Sequence, residues 1–109
     1  MQRGEVWTVA GGPGYAGKPR PAVIVQDDAF AQTASVTICL ITSDPTEAPL
    51  FRVPLLPDAT NGLNQPCTAM ADKLTNVERS RLGQKVGRLS RDDLARTTLA
   101  MMTFLGAGS

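Results

Sequence analysis

Residues 17–26 read GKPRPAVIVQ. An arginine stands between two prolines, and the chain then passes without a polar break into Ala22-Val23-Ile24-Val25. β-Branched residues suit a pleated surface, and an apolar run without alternation describes a strand covered on both faces. Residues 35–42, SVTICLIT, read the same way. Upstream, EVWTVA (5–10) alternates as a short strand. Between it and the opening stretch lies GGPGYAGKPRP (11–21), with four glycines and three prolines in eleven residues, a long loop for so small a chain.

Downstream, SDPTEAP (43–49) is rich in turn residues, and LFRVPLL (50–56) alternates as a strand. Pro54 cannot donate to a ladder, so this strand belongs at an edge or a bulge. Asn61-Gly62 is a strong turn pair within 57–66. CTAMADKLTNV (67–77) and RLGQKVGRL (81–89) supply two more extended segments. The period then changes. In SRDDLARTTLAMMTFLGAG, Ser90 is placed as an N-cap, Asp92 and Asp93 occupy the first turn, and Gly106 ends the helix. Leu94, Thr98, Met101 and Leu105 fall on one stripe, widened by Leu99, Met102 and Phe104. The connections are too short for parallel crossovers. The predicted architecture is therefore mainly β (α+β), an antiparallel sheet of five or six strands under one C-terminal helix, in a single domain over 1–109.

With 109 residues the chain supports one core, and aromatics at 5% leave that core to aliphatic residues and methionine. Net charge is +1, but it is unevenly spread. Residues 27–72 hold six acids and one base; residues 73–91 hold six bases and one acid. Such an asymmetry can build a local anion-binding face, although a solvated basic surface is the plainer account. Cys39 sits in an apolar run as a small buried thiol, and Cys67 is not spaced with it for a metal or redox motif. No stretch approaches a membrane span, and the start lacks the apolar core of a leader. A reducing, cytoplasmic location is expected.

The chain has no histidine, which removes Ser-His-Asp triads, Cys-His pairs and most zinc sites. There is no phosphate-binding GxxxxGK[ST] loop, and no helix follows GGPG. Asp27-Asp28 and Asp92-Asp93 read as turn and capping pairs. What remains is a cation and a hydroxyl. Arg20 precedes one apolar strand and Thr42 ends another, so antiparallel pairing brings both to one rim. A guanidinium fork there suits an oxyanion such as a phosphodiester.

With these residues in view, the chain resembles the MazF/PemK toxins of bacterial toxin–antitoxin modules. RGEVW (3–7) is similar to that family's first strand, RPAVIVQ (20–26) to its most recognisable segment, ICLIT (38–42) to the strand ending in a functional Thr or Ser, and AMADKLTNVERSRLGQKVGRLS (69–90) to its late strand and helix lead-in. The resemblance implies a small curled antiparallel β-barrel of the CcdB/PemK/MazF type with a C-terminal helix, usually a homodimer. It implies a metal-independent endoribonuclease that cuts single-stranded RNA at short sequences, needs no cofactor, and is blocked by a MazE-like antitoxin.

The family's catalytic arginine falls on Arg20 and its Thr/Ser on Thr42. An acidic position of the PemK branch falls on Asp72. That branch's partner arginine, two residues earlier, is Met70 here, and its loop histidine has no counterpart. Cleavage in this family uses the RNA's own 2′-OH and leaves a 2′,3′-cyclic phosphate and a 5′-OH. Arg20 would stabilise the phosphorane charge, and Thr42 would bind a non-bridging oxygen or the 2′-OH. A free guanidinium is a poor base, so Arg20 deprotonated in a dry site, Asp72 and water all stand as proton acceptors. Tyr15 is the expected base stacker, ahead of Trp7, and Lys18, Ser43, Arg52, Lys73, Arg79 and Arg81 the expected RNA contacts. The same barrel also serves CcdB-like toxins, which bind DNA gyrase and catalyse nothing; that is the competing reading.

Overall fold

The computed structural model describes residues 1–10, 18–45 and 47–107. Six strands form in it: β1 (Glu5–Val9), β2 (Arg20–Ile24), β3 (Ser35–Thr42), β4 (Arg52–Leu55), β5 (Cys67–Glu78) and β6 (Leu82–Arg88). One helix, α1 (Arg91–Leu105), follows them. The strands make one antiparallel sheet in the order β4-β5-β3-β2-β1-β6. Pro54 accordingly lies on an edge strand, where its missing N–H costs no ladder bond.

The sheet curls because its longest strand is bulged. Cys39 is level with Leu74 but Ile41 with Ala69, so β5 spends five residues where β3 spends two. The surplus, around Met70–Lys73, bends the strand and increases its twist. Curling covers both faces. Val23 and Val25 join Cys39, Ile41, Val53, Leu55 and the α1 residues Ala100 and Met101 in one core. The alternate residues Ala22 and Ile24 join Val9, Val36, Ile38, Val77 and Leu82 in a second. That double burial is why 22–25 carries no polar alternation.

No ladder joins the edge strands β4 and β6 among the described residues; the connection after β4 seals the curl instead. The Arg88 N–H donates to the Thr60 carbonyl at 2.8 Å. Asn61 is fully buried, its amide donating to the Leu56 carbonyl at 2.8 Å and its oxygen accepting from the Leu63 N–H at 3.0 Å. Gly62 has φ +71°, and a Cβ there would lie 2.2 Å from the Val86 carbonyl oxygen.

The helix caps fall where the sequence places them. Ser90 accepts from the Asp93 N–H at 3.1 Å, and Gly106 is left-handed at φ 73°. The buried stripe differs from the expected one. Thr97, Ala100 and Met101 are buried, while Leu99, Met102, Phe104 and Leu105 are exposed. Of the expected stripe Met101 is buried, and Leu94, packed on the first core, and Thr98 are half-buried. Asp27 and Asp28 are turn residues as expected, Asp27 accepting from the Ala29 N–H and Asp28 from the Arg3 N–H.

Candidate active site

Antiparallel pairing sets Ala22 level with Leu40 and Ile24 with Ile38. Arg20 and Thr42 lie two residues beyond that pairing, at the adjacent ends of the two strands. Strand alternation puts both on one face, that of Ala22 and Leu40. Arg20 is exposed and makes no hydrogen bond or ion pair among the described residues. Its backbone is held at the rim by Pro21 and by pairing with Val9 of β1, which leaves the exposed guanidinium able to meet an anion. Thr42 is half-buried beside Thr68 of β5. Its Oγ1 accepts the Asp44 N–H at 3.1 Å, so the hydroxyl proton is left to donate outward.

Asp72 lies in the β5 bulge and is turned toward β4. Arg52 grips it side-on, Nε to Oδ1 at 2.8 Å and Nη2 to Oδ2 at 2.9 Å. Arg52 is level with Met70. The arginine that the sequence lacks two residues before Asp72 thus has a counterpart supplied from the neighbouring strand. The Arg52 hydrogen bonds hold the Asp72 carboxyl below the usual carboxylate range despite its partial burial, and Lys73 adds to the effect. The same pairing raises the guanidinium of Arg52. A carboxylate so held is a weak base, which leaves water as the better proton acceptor.

Beside Thr42 opens a cleft of about 520 Å³. Ser43, Asp44, Glu47, Arg52, Cys67 and Thr68 line it with polar and ionisable groups. Pro45, Pro49, Pro54 and Pro66 complete it with flat apolar rings. Neither Thr68 nor the cleft was legible in the sequence, because both depend on how β5 meets β3 and β4. Both cysteines are free thiols; burial pushes the half-buried Cys67 thiol up, and Cys39, deep in the first core, up to about 12.

The remaining expected contacts are scattered. Lys18 and Lys73 are exposed near Arg20 and Asp72 in sequence, without hydrogen bonds or ion pairs among the described residues. Arg79 donates to the carbonyls of Thr33, at 2.7 Å, and Ala31, in the β2–β3 connection at the far end of those strands from Arg20 and Thr42. Arg81 donates to the Ala10 carbonyl at 2.7 Å. Both guanidiniums are engaged in holding the backbone. Trp7 donates to Glu5 at 3.1 Å and packs on the second core. Tyr15 lies outside the described residues.

Residues 2–105 match the family model described as the PemK-like, MazF-like toxin of type II toxin–antitoxin systems. The chain is 46% identical over 106 residues to a probable endoribonuclease MazF of Mycolicibacterium smegmatis, covering 97% of each chain. It is 33% identical over 114 residues to endoribonuclease MazF9 of Mycobacterium tuberculosis, covering 96% of each. Among solved structures, an endoribonuclease in complex with its cognate antitoxin from a mycobacterial species superposes with a TM-score of 0.81 at 22% identity, over 100% of this chain and 98% of the other. A MazE-MazF complex from Deinococcus radiodurans superposes with a TM-score of 0.80 at 25% identity, over 97% and 96%.

Proposed function

Because the chain belongs to the PemK-like, MazF-like toxin family of type II toxin–antitoxin systems, we propose that it is a sequence-specific endoribonuclease of single-stranded RNA. It works without a metal ion and is restrained by a MazE-like antitoxin. It acts as a homodimer in the cytoplasm. The observation that supports this reading is the antiparallel pairing of β2 and β3 up to Ala22 and Leu40, which leads Arg20 and Thr42 toward one rim of the sheet.

A 2′-OH attacking its own 3′-phosphate builds a doubly charged phosphorane. Fixed cationic donors gain more from that charge than from the ground state, commonly a few kcal/mol per donor. Arg20 faces solvent with its donors unspent and meets the non-bridging oxygens. Thr42 donates its hydroxyl to a non-bridging oxygen or orients the 2′-OH. Asp72 acts through Arg52 and not on the substrate. The products are a 2′,3′-cyclic phosphate and a 5′-OH. Lys18, Ser43 and Lys73 contact the strand beside the cleft, and Tyr15 offers a ring for stacking. Arg79 and Arg81, with carbonyls of their own to hold, contribute through fold and field.

The test is incubation of purified protein with an unstructured RNA in EDTA, beside a gyrase supercoiling assay. RNA cutting at a short motif with gyrase unaffected is expected. Intact RNA with gyrase stalled would establish the CcdB-like reading instead.

A further inference from the structure

We propose that the cleft beside Thr42 is a guanine subsite, with Arg52 and Glu47 as its readers. This rests on the endoribonuclease reading and specifies what the enzyme selects. At about 520 Å³ the cleft admits a base and its ribose with room for water. It adjoins Thr42 through Ser43 and Thr68, so its occupant is a nucleotide next to the cleaved phosphate. Single-stranded RNA can splay a base outward, and proline rings offer apolar surface to its faces.

The polar groups choose the base. Arg52 spends Nε and one Nη2 proton on Asp72, so both Nη1 protons remain to donate. Asp72 thereby fixes the direction of a charged donor on the cleft wall; it is a positioning residue. Glu47 lines the same cleft and has no hydrogen bond or ion pair among the described residues. A guanidinium donor and a carboxylate lining one cleft match guanine. Its O6 and N7 accept from a guanidinium, and N1–H and N2–H on the Watson–Crick edge donate as a pair to a carboxylate. Adenine and cytosine offer one amino group beside an unprotonated ring nitrogen, which repels a carboxylate. Uracil offers one N–H between two carbonyl oxygens.

The test uses wild-type protein, so it does not depend on a variant folding. Cut sites mapped on a mixed RNA pool should share a guanine flanking the cleaved bond. In an oligonucleotide bearing that site, inosine (no N2 amine) and 7-deazaguanine (no N7 acceptor) at that position should each lower kcat/KM at least tenfold. Glu47→Gln should lower cleavage of the guanine substrate and erase the penalty for inosine, while Asp72→Asn weakens discrimination against 7-deazaguanine. Cutting without a fixed guanine, or full tolerance of both analogues, overturns the subsite and leaves the enzyme reading intact. Variants that change antitoxin affinity but not base preference overturn it in favour of a protein-docking cleft. Failure to cut any RNA overturns the enzyme reading, and the subsite with it.

Discussion

Arg52 and Asp72 meet side-on across β4 and β5, with both carboxylate oxygens engaged at 2.8 and 2.9 Å. Both side chains are mostly out of solvent, at 14% and 21% exposure. A fork-to-fork pair so shielded is geometrically rigid, and it fixes what Asp72 can do. If Asp72 were the general base, Asp72→Asn would remove a limb of the pH–rate profile. The expected result is a lower rate with an unchanged profile between pH 5 and 9, measured as kcat/KM on a defined oligonucleotide.

Removing one partner of that pair should also cost stability. Asp72→Asn loses a charge-assisted pair, and about 1–3 kcal/mol is expected from the shift of the urea midpoint. Because its pKa is lowered in the fold, the pair's contribution is present above the ordinary carboxylate value of 3.8 and is lost as pH falls below it.

Glu5 is the stronger acid-sensitive element. Burial raises its carboxyl, but the Gln2 N–H, Lys85 and Trp7 more than reverse this and hold it at about 2, against an ordinary 4.5. A depressed carboxylate stabilises the fold above its unfolded value. The contribution should therefore be complete above pH 4.5 and fade as pH falls toward 2. At neutral pH it is on the order of 3 kcal/mol. Glu5→Gln should lower stability at pH 7 by an amount of that order and flatten the acid limb in a denaturation series.

Much of this frame is written locally. The strand ends at Arg20 and Thr42 follow from two apolar runs and a proline, and the helix caps from Ser90 and Gly106. Antiparallel pairing then suffices to bring the cation and the hydroxyl to one rim. The Arg52–Asp72 fork was not legible, since it joins residues 20 apart through a bulge whose position local propensity does not set. Periodicity finds Met101 and Leu94 on the covered face of the helix but not how far the cover extends, so Leu105 and the widening residues are exposed. Ala100 and Thr97 are buried and Leu99 is not. The basic segment allowed an anion-binding face, with a solvated surface as the plainer account; in the fold carbonyl acceptors and Glu5 take up Arg79, Arg81, Lys85 and Arg88.

The seal between the sheet edges is equally specific. Asn61→Ala leaves the Leu56 carbonyl and the Leu63 N–H without their side-chain partner in a fully buried position. A loss of about 2–4 kcal/mol is expected. Gly62→Ala adds a Cβ where the Val86 backbone already stands and at a left-handed φ, so it should be at least as damaging. Thermal unfolding of the two variants checks both.

The most direct measurement compares wild type, Arg20→Ala and Thr42→Ala on one unstructured RNA in EDTA, with product ends identified. Arg20 is exposed and its side chain has no partner among the described residues, so its removal should leave stability within about 0.5 kcal/mol. The account expects 2′,3′-cyclic phosphate and 5′-OH ends from wild type and no cutting by Arg20→Ala. For Thr42→Ala it expects at least a tenfold slower step, about 1.4 kcal/mol, with RNA affinity nearly unchanged. A folded Arg20→Ala protein that still cuts at the wild-type rate would contradict it.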